Sequence, residues 1–177
     1  MKNTKNTQSP TKLTENKVDV RAIFLQGKSF EKKGKYENAL ECYNKILGIE
    51  PENYDVLLQK GCALLRTETY SEAIACLDKV LQKHPQDCIA LYYKAEAYYY
   101  LGRYGDAIVF YDKAISVEPR DTDSIMGKAS SLYKLERYES AIVFYDKVLE
   151  INPKDQHALL WKNQLINLLG KKEQMYT

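Results

Sequence analysis

A step of 34 residues runs through this chain and decides what it can become. Pro51, Pro85, Pro119 and Pro153 fall at that interval. So do Ala39, Ala73, Ala107 and Ala141, Tyr36, Tyr70, Tyr104 and Tyr138, and Lys45, Lys79, Lys113 and Lys147. The heptapeptide AIVFYDK occupies residues 107–113 and returns at 141–147. Four units result: 20–53, 54–87, 88–121 and 122–155. Self-similarity at this period means a stack of small supersecondary units, each too small to bury its own apolar face and each covering its neighbour's.

Each unit reads as two helices. In the third, Leu91, Ala95, Tyr98 and Leu101 recur at three- and four-residue steps and make one apolar stripe. Gly102-Arg103 interrupts it, and Ala107, Tyr111, Ala114 and Ile115 make a second. Pro119 stops that helix, because proline lacks an amide donor and clashes with the preceding turn. Asp19, Asn53, Asp87, Asp121 and Asp155 stand one step apart as caps that accept the first free amide hydrogens of the following helix. Gly27, Gly61, Ala95 and Ala129 on the first helices, and the four repeated alanines on the second, mark close helix approach.

These residues resemble the tetratricopeptide repeat family. Its pattern of large apolar, small, aromatic, Ala, aromatic and closing Pro is met by Ile23, Gly27, Phe30, Ala39, Tyr43 and Pro51, then Leu57, Gly61, Leu64, Ala73, Leu77 and Pro85. The third and fourth units supply Leu91, Ala95, Tyr98, Ala107, Tyr111 and Pro119, then Ile125, Ala129, Leu132, Ala141, Tyr145 and Pro153. The family's usual Trp is missing, and Gln26, Lys60, Lys94 and Lys128 replace its Leu. The resemblance implies an all-α fold, a right-handed superhelical solenoid of helix-turn-helix repeats with the first helices lining the concave side. The repeat domain is expected over 19–170. A capping helix over 156–169, carrying Leu159, Leu165, Ile166 and Leu169 and stopping at Gly170, should turn a more polar side outward. Residues 1–18, with four Lys against one Glu, are expected to form a mobile polar tail, and residues 171–177 a C-terminal tail.

The resemblance also places the groove at the second, fifth, sixth, ninth, twelfth and thirteenth positions of each unit. Charges nearly cancel there, with Arg21, Lys28, Lys32, Arg66 and Lys134 against Glu31, Asp55, Glu96 and Asp123. Aromatics gather in the C-terminal half: Tyr92, Tyr93, Tyr99, Tyr100, Tyr133 and Trp161. The packing positions are already filled by Tyr98, Tyr104, Tyr111, Tyr138 and Tyr145. Tyrosine and tryptophan offer rigid contact area with a polar tip and serve as interface anchors. The expected function is a non-enzymatic scaffold or adaptor for protein–protein interaction. A peptide segment or partner helix would lie against Phe24, Lys28, Arg66, Tyr92, Tyr93, Tyr99, Tyr100, Tyr133, Lys134 and Trp161. The alternative for the tyrosines is that they pack on one another and bind nothing. The alternative for the chain is self-assembly into a homo-oligomer.

Other classes find less support. Phe24, Lys28, Gln59, Ile89 and Tyr93 stand where the family's carboxylate clamp needs lysine, asparagine, asparagine, lysine and arginine, so chaperone C-terminal tails are not expected partners. A net charge of +2 excludes a polyanion-coating protein. Single-stranded RNA on the groove tyrosines is the weakest reading, because Glu96 and Asp123 put negative charge beside the stacking platform. No run of 18 apolar residues exists to span a membrane. The N-terminal segment has no apolar core, so no secretory signal is read and the chain is expected to be cytoplasmic. Its four cysteines are then reduced thiols. His84 sits at a helix end beside no triad-like partner. Cys76, His84 and Cys88 match no zinc spacing, and no glycine-rich phosphate loop is present. No catalytic residue, metal or cofactor is therefore expected.

Overall fold

The computed structural model describes the backbone of residues 19–175 and the side chains of 19–171; the expected tail at 1–18 lies outside the described residues. The described residues contain helices and no strands. Four antiparallel pairs follow in chain order: α1 (Val20–Lys32) with α2 (Tyr36–Leu47), α3 (Tyr54–Arg66) with α4 (Tyr70–Lys83), α5 (Cys88–Tyr100) with α6 (Tyr104–Val117), and α7 (Thr122–Lys134) with α8 (Tyr138–Ile151). A final helix, α9 (Gln156–Met175), packs on α8. Each helix touches its neighbours in sequence, and α3 also meets α5 and α5 meets α7, so these three first helices form one continuous layer. This is an all-α helical repeat solenoid.

The start signals work as the sequence implies. Asp19, Asn53, Asp87, Asp121 and Asp155 accept from the amides of Ala22, Val56, Ala90, Ser124 and Ala158 at 2.8 to 3.2 Å. The small residues also lie where expected. Ala39, Ala73, Ala107 and Ala141 are fully buried, as are Ala95 and Ala129. A methyl at Gly27 would stand 2.7 Å from the ring of Tyr43.

The turn inside each pair carries a feature that composition hides. Gly34, Glu68, Gly102 and Glu136, again 34 apart, all adopt positive φ, at 69°, 58°, 74° and 58°. The amide after each bonds back five residues: Lys35 to Phe30, Thr69 to Leu64, Arg103 to Tyr98 and Arg137 to Leu132. This is a left-handed helix cap, a position that suits glycine. Two of the four units hold it with glutamate. Left-handed backbone costs a non-glycine residue about 1–2 kcal/mol, partly offset by the roughly 0.5–1 kcal/mol of chain entropy that glycine loses. Glu136 is exposed, so Glu136→Gly should raise stability by about 0.5–1 kcal/mol in urea titration. An unchanged or lower midpoint would contradict the strain.

The lysines that replace the family's leucine stitch units together. Lys94, Lys128 and Lys162 reach back to Asp78, Asp112 and Asp146 on the preceding second helix, the last two pairs at 2.5 Å. Lys94 is only 8% exposed. Its ammonium lies 4.0 Å from the centre of the Phe110 ring, and Lys128 repeats this over Phe144 at 4.1 Å. The aliphatic stems thus pack where leucine would, while the charged tips find a carboxylate and a ring face. At the first junction Asn44 holds the aspartate's place, and the ladder begins one unit later.

Two expectations need correction. α9 does not stop at Gly170 but runs through it to Met175, so residues 171–175 are helix rather than tail. A glycine costs a helix only about 1 kcal/mol relative to alanine, and strong helix formers lie on both sides of this one. The exposed side of α9 carries Gln156, His157, Asn163, Gln164 and Asn167. Ala158 and Leu165 are buried against α8, but Leu160, Ile166 and Leu168 are exposed. The tyrosines assigned to packing also divide. Tyr111 and Tyr145 are fully buried, whereas Tyr98, Tyr104 and Tyr138 are only partly so. Tyr98 stacks on Phe110 at 5.4 Å under Arg103, on the side of α5 away from Glu96.

Candidate functional site

The first helices wall a trough along one side of the stack. At its N-terminal end Lys28, Glu31 and Lys32 of α1 face Gln59, Cys62 and Arg66 of α3 and Ile89 and Tyr93 of α5. Arg66 and Tyr93 also wall the next stretch, with Tyr92, Glu96, Tyr100 and Asp123. Those last four continue into a third cavity, where Tyr99, Met126 and Ser130 complete the wall between α5 and α7. The three cavities, of 470, 450 and 240 Å³, share walls in sequence and so make one channel across α1, α3, α5 and α7. The walls draw mainly on positions that the family resemblance assigns to the groove, from Lys28, Glu31 and Lys32 on α1 to Asp123, Met126 and Ser130 on α7.

The tyrosines touch one another yet stay on the trough. Tyr92 meets Tyr93 edge to face at 5.2 Å, and Tyr99 meets Tyr100 at 5.6 Å. Tyr100 stacks on Tyr70 at 5.4 Å and is still 57% exposed. Tyr92, Tyr93 and Tyr99 are half-buried, and burial raises the hydroxyl pKa of each, so all remain neutral donors near neutral pH. The rings brace each other, and their free faces form part of the trough wall.

Glu96 is the electrostatic centre. Burial pushes its carboxyl above the usual range. A hydrogen bond from the Tyr111 hydroxyl works the other way, Asp123 raises it further and Arg66 offsets this weakly. Tyr111 is a fully buried core residue whose hydroxyl nonetheless reaches the trough. It can do so because of Gly127: an added Cβ there would stand 2.3 Å from the end of the Tyr111 ring. Gly127 is therefore no open groove position but the notch that admits this ring. The sequence does hold a signal, since Gln59, Tyr93 and Trp161 occupy the same register and only this unit has no side chain.

The remaining expected residues fall as follows. Lys28 donates to Gln59 at 2.6 Å and pairs with Glu31 at 2.8 Å. Phe24 leans on the Tyr43 ring at 6.0 Å and joins the first unit's core. Arg66 stands where the first two cavities meet. Tyr133 and Trp161 pack on each other at 5.3 Å at the C-terminal end, against the core of the last pair, and Lys134 beside them is exposed. Tyr92, Tyr93, Tyr99 and Tyr100 are thus brought together with Arg66 and Lys28. Phe24, Tyr133 and Trp161 are held largely by their own neighbours. Burial lifts the Cys62 thiol to about 12, which makes it a neutral wall residue rather than a nucleophile. The wall offers aromatic faces, hydroxyls, the carboxylates of Glu31, Glu68, Glu96 and Asp123, the ammonium groups of Lys28 and Lys32, and the Arg66 guanidinium.

Known proteins agree with the architecture. A profile of the tetratricopeptide repeat matches residues 123–155. A profile described as anaphase-promoting complex, cyclosome, subunit 3 matches residues 32–114. No curated protein sequence matches significantly. Among solved structures, a crystal structure of MamA is similar over 81% of this chain and 84% of that one, at 22% identity and a TM-score of 0.77. A tetratricopeptide repeat protein from Parabacteroides merdae is 24% identical over 87% of this chain and 61% of its own, with a TM-score of 0.77. The first such domain of human RPAP3 is 25% identical over 70% of this chain and 98% of that one, with a TM-score of 0.64. The 34-residue register, the capped helix pairs and the matched repeat converge on one conclusion: the chain belongs to the tetratricopeptide repeat family.

Proposed function

We propose that this chain is a non-enzymatic scaffold that binds an extended or helical segment of another polypeptide in the trough. The observation that carries this reading is the continuity of the wall from Lys28 on α1 to Ser130 on α7. A channel that crosses four successive helices suits a polymer better than a small molecule. Its central stretch presents tyrosine faces that bury large area at small entropic cost, the property of interface anchors. Among the described residues no helix is long and apolar enough to cross a membrane.

The test is affinity capture with the natural chain and with a Tyr93→Ala/Tyr99→Ala variant whose circular dichroism is unchanged. A discrete protein retained by the first and lost by the second is the expected result. Equal retention by both would move binding away from the trough. Light scattering across concentration identifies the case in which the retained protein is a second copy of this chain.

A further inference from the structure

The trough of the proposed function, on which this inference rests, is charged unevenly along its length. Its N-terminal stretch carries Lys28, Lys32 and Arg66 against Glu31. Lys28 is already engaged by Glu31 and Gln59, while Lys32 and Arg66 make no ion pair among the described residues. The cavity between α5 and α7 has the opposite character. Glu96 and Asp123 line it with no basic side chain, and both also border the neighbouring cavity, where Arg66 and Glu68 stand. Neither carboxylate is ion-paired among the described residues; Glu96 accepts only the Tyr111 hydroxyl. Around the two acids stand Tyr92, Tyr99 and Tyr100.

We propose that this cavity receives a lysine or arginine side chain of the bound polypeptide, with the cationic end between Glu96 and Asp123 and the aliphatic stem against Tyr92, Tyr99 and Tyr100. Three physical facts converge. A ring face attracts a cation through its quadrupole, more strongly as water is excluded. Two carboxylates that disfavour each other's charge are both relieved by a cation placed between them. The alkyl stem of lysine or arginine covers apolar surface while its head remains polar. Charge complementarity also sets direction: an acidic side chain of the same partner faces Lys32 and Arg66, so the segment lies with its acidic part toward α1 and its basic part toward α7. The chain itself shows the chemistry at small scale, since Lys94 places its ammonium between the Asp78 carboxylate and the Phe110 ring.

The test is selection of a randomised dodecapeptide display library against the full chain, followed by titration of the selected peptides. Enrichment of lysine or arginine at one position is expected. Binding should weaken at least tenfold when that residue is replaced by norleucine, and by as much in a Glu96→Gln/Asp123→Asn variant. Glutamine keeps an acceptor for the Tyr111 hydroxyl, and retained circular dichroism confirms the fold. Selected peptides without basic enrichment, yet lost on Tyr93→Ala/Tyr99→Ala, would overturn the cation assignment while leaving the trough reading intact. Peptides indifferent to both variants would overturn both. A synthetic peptide of residues 1–18 that binds as tightly as the selected ones, with the same dependence on Glu96 and Asp123, would overturn the assignment to a foreign partner.

Discussion

Tyr111→Ala should destabilise the chain by about 3–5 kcal/mol, the range for deleting a buried aromatic ring. The ring is fully enclosed, its hydroxyl holds a half-buried carboxylate, and its tip lies on the backbone of the next unit at Gly127. Its loss therefore empties a core, leaves Glu96 without its donor and loosens the junction between the third and fourth units. The converse change tests the same contact from the other side. Gly127→Ala places a methyl where the ring already is, an overpacking cost of about 1–3 kcal/mol. Leu77 fills the place of Tyr111 in the second unit, fully buried and without reaching the trough. In a Tyr111→Leu background the penalty of Gly127→Ala should accordingly fall toward zero. Urea denaturation of the four proteins gives the coupling directly. Additive costs would mean that the ring and the glycine are not the matched pair described.

Which features could be read from the residues, and which could not, follows from what repeats. The caps, the prolines and the buried alanines recur at a fixed step, and each has one dominant physical role, so their identity alone announces it. The left-handed turn recurs as well, but Glu68 and Glu136 disguise it: their conformation is imposed by the capping bonds around them, against their own preference. Lys94 and Lys128 look like departures from an apolar position. Their role as bridges depends on an aspartate 16 residues earlier and a phenylalanine 16 residues later, partners that only stacking brings near. The trough was legible as a set of positions only through the family resemblance, which implies which side of each first helix faces inward. Its inner chemistry was not. That Tyr133 and Trp161 pack on each other depends on the stacking of α9 beside α7. That Tyr111 reaches Glu96 depends on a missing side chain one unit away.

Leu165→Ala should produce the second large loss, about 2–5 kcal/mol, but confined to one end. Leu165 is buried where α9 covers the last pair, in a cluster with Ile125, Leu132, Tyr145 and Val148. In a stack each unit draws stability from itself and its immediate neighbours, so damage spreads by nearest-neighbour coupling rather than through a shared core. Amide exchange should rise sharply in α7, α8 and α9, less in α5 and α6, and little in α1 to α4. Tyr111→Ala breaks a central junction instead and should raise exchange on both sides of it. A uniform rise in the Leu165 variant would mean that the repeats unfold as one cooperative body. The graded pattern would mean that the C-terminal wall of the trough, Asp123 and Ser130 included, depends for its order on a helix that contributes nothing to the cation cavity itself.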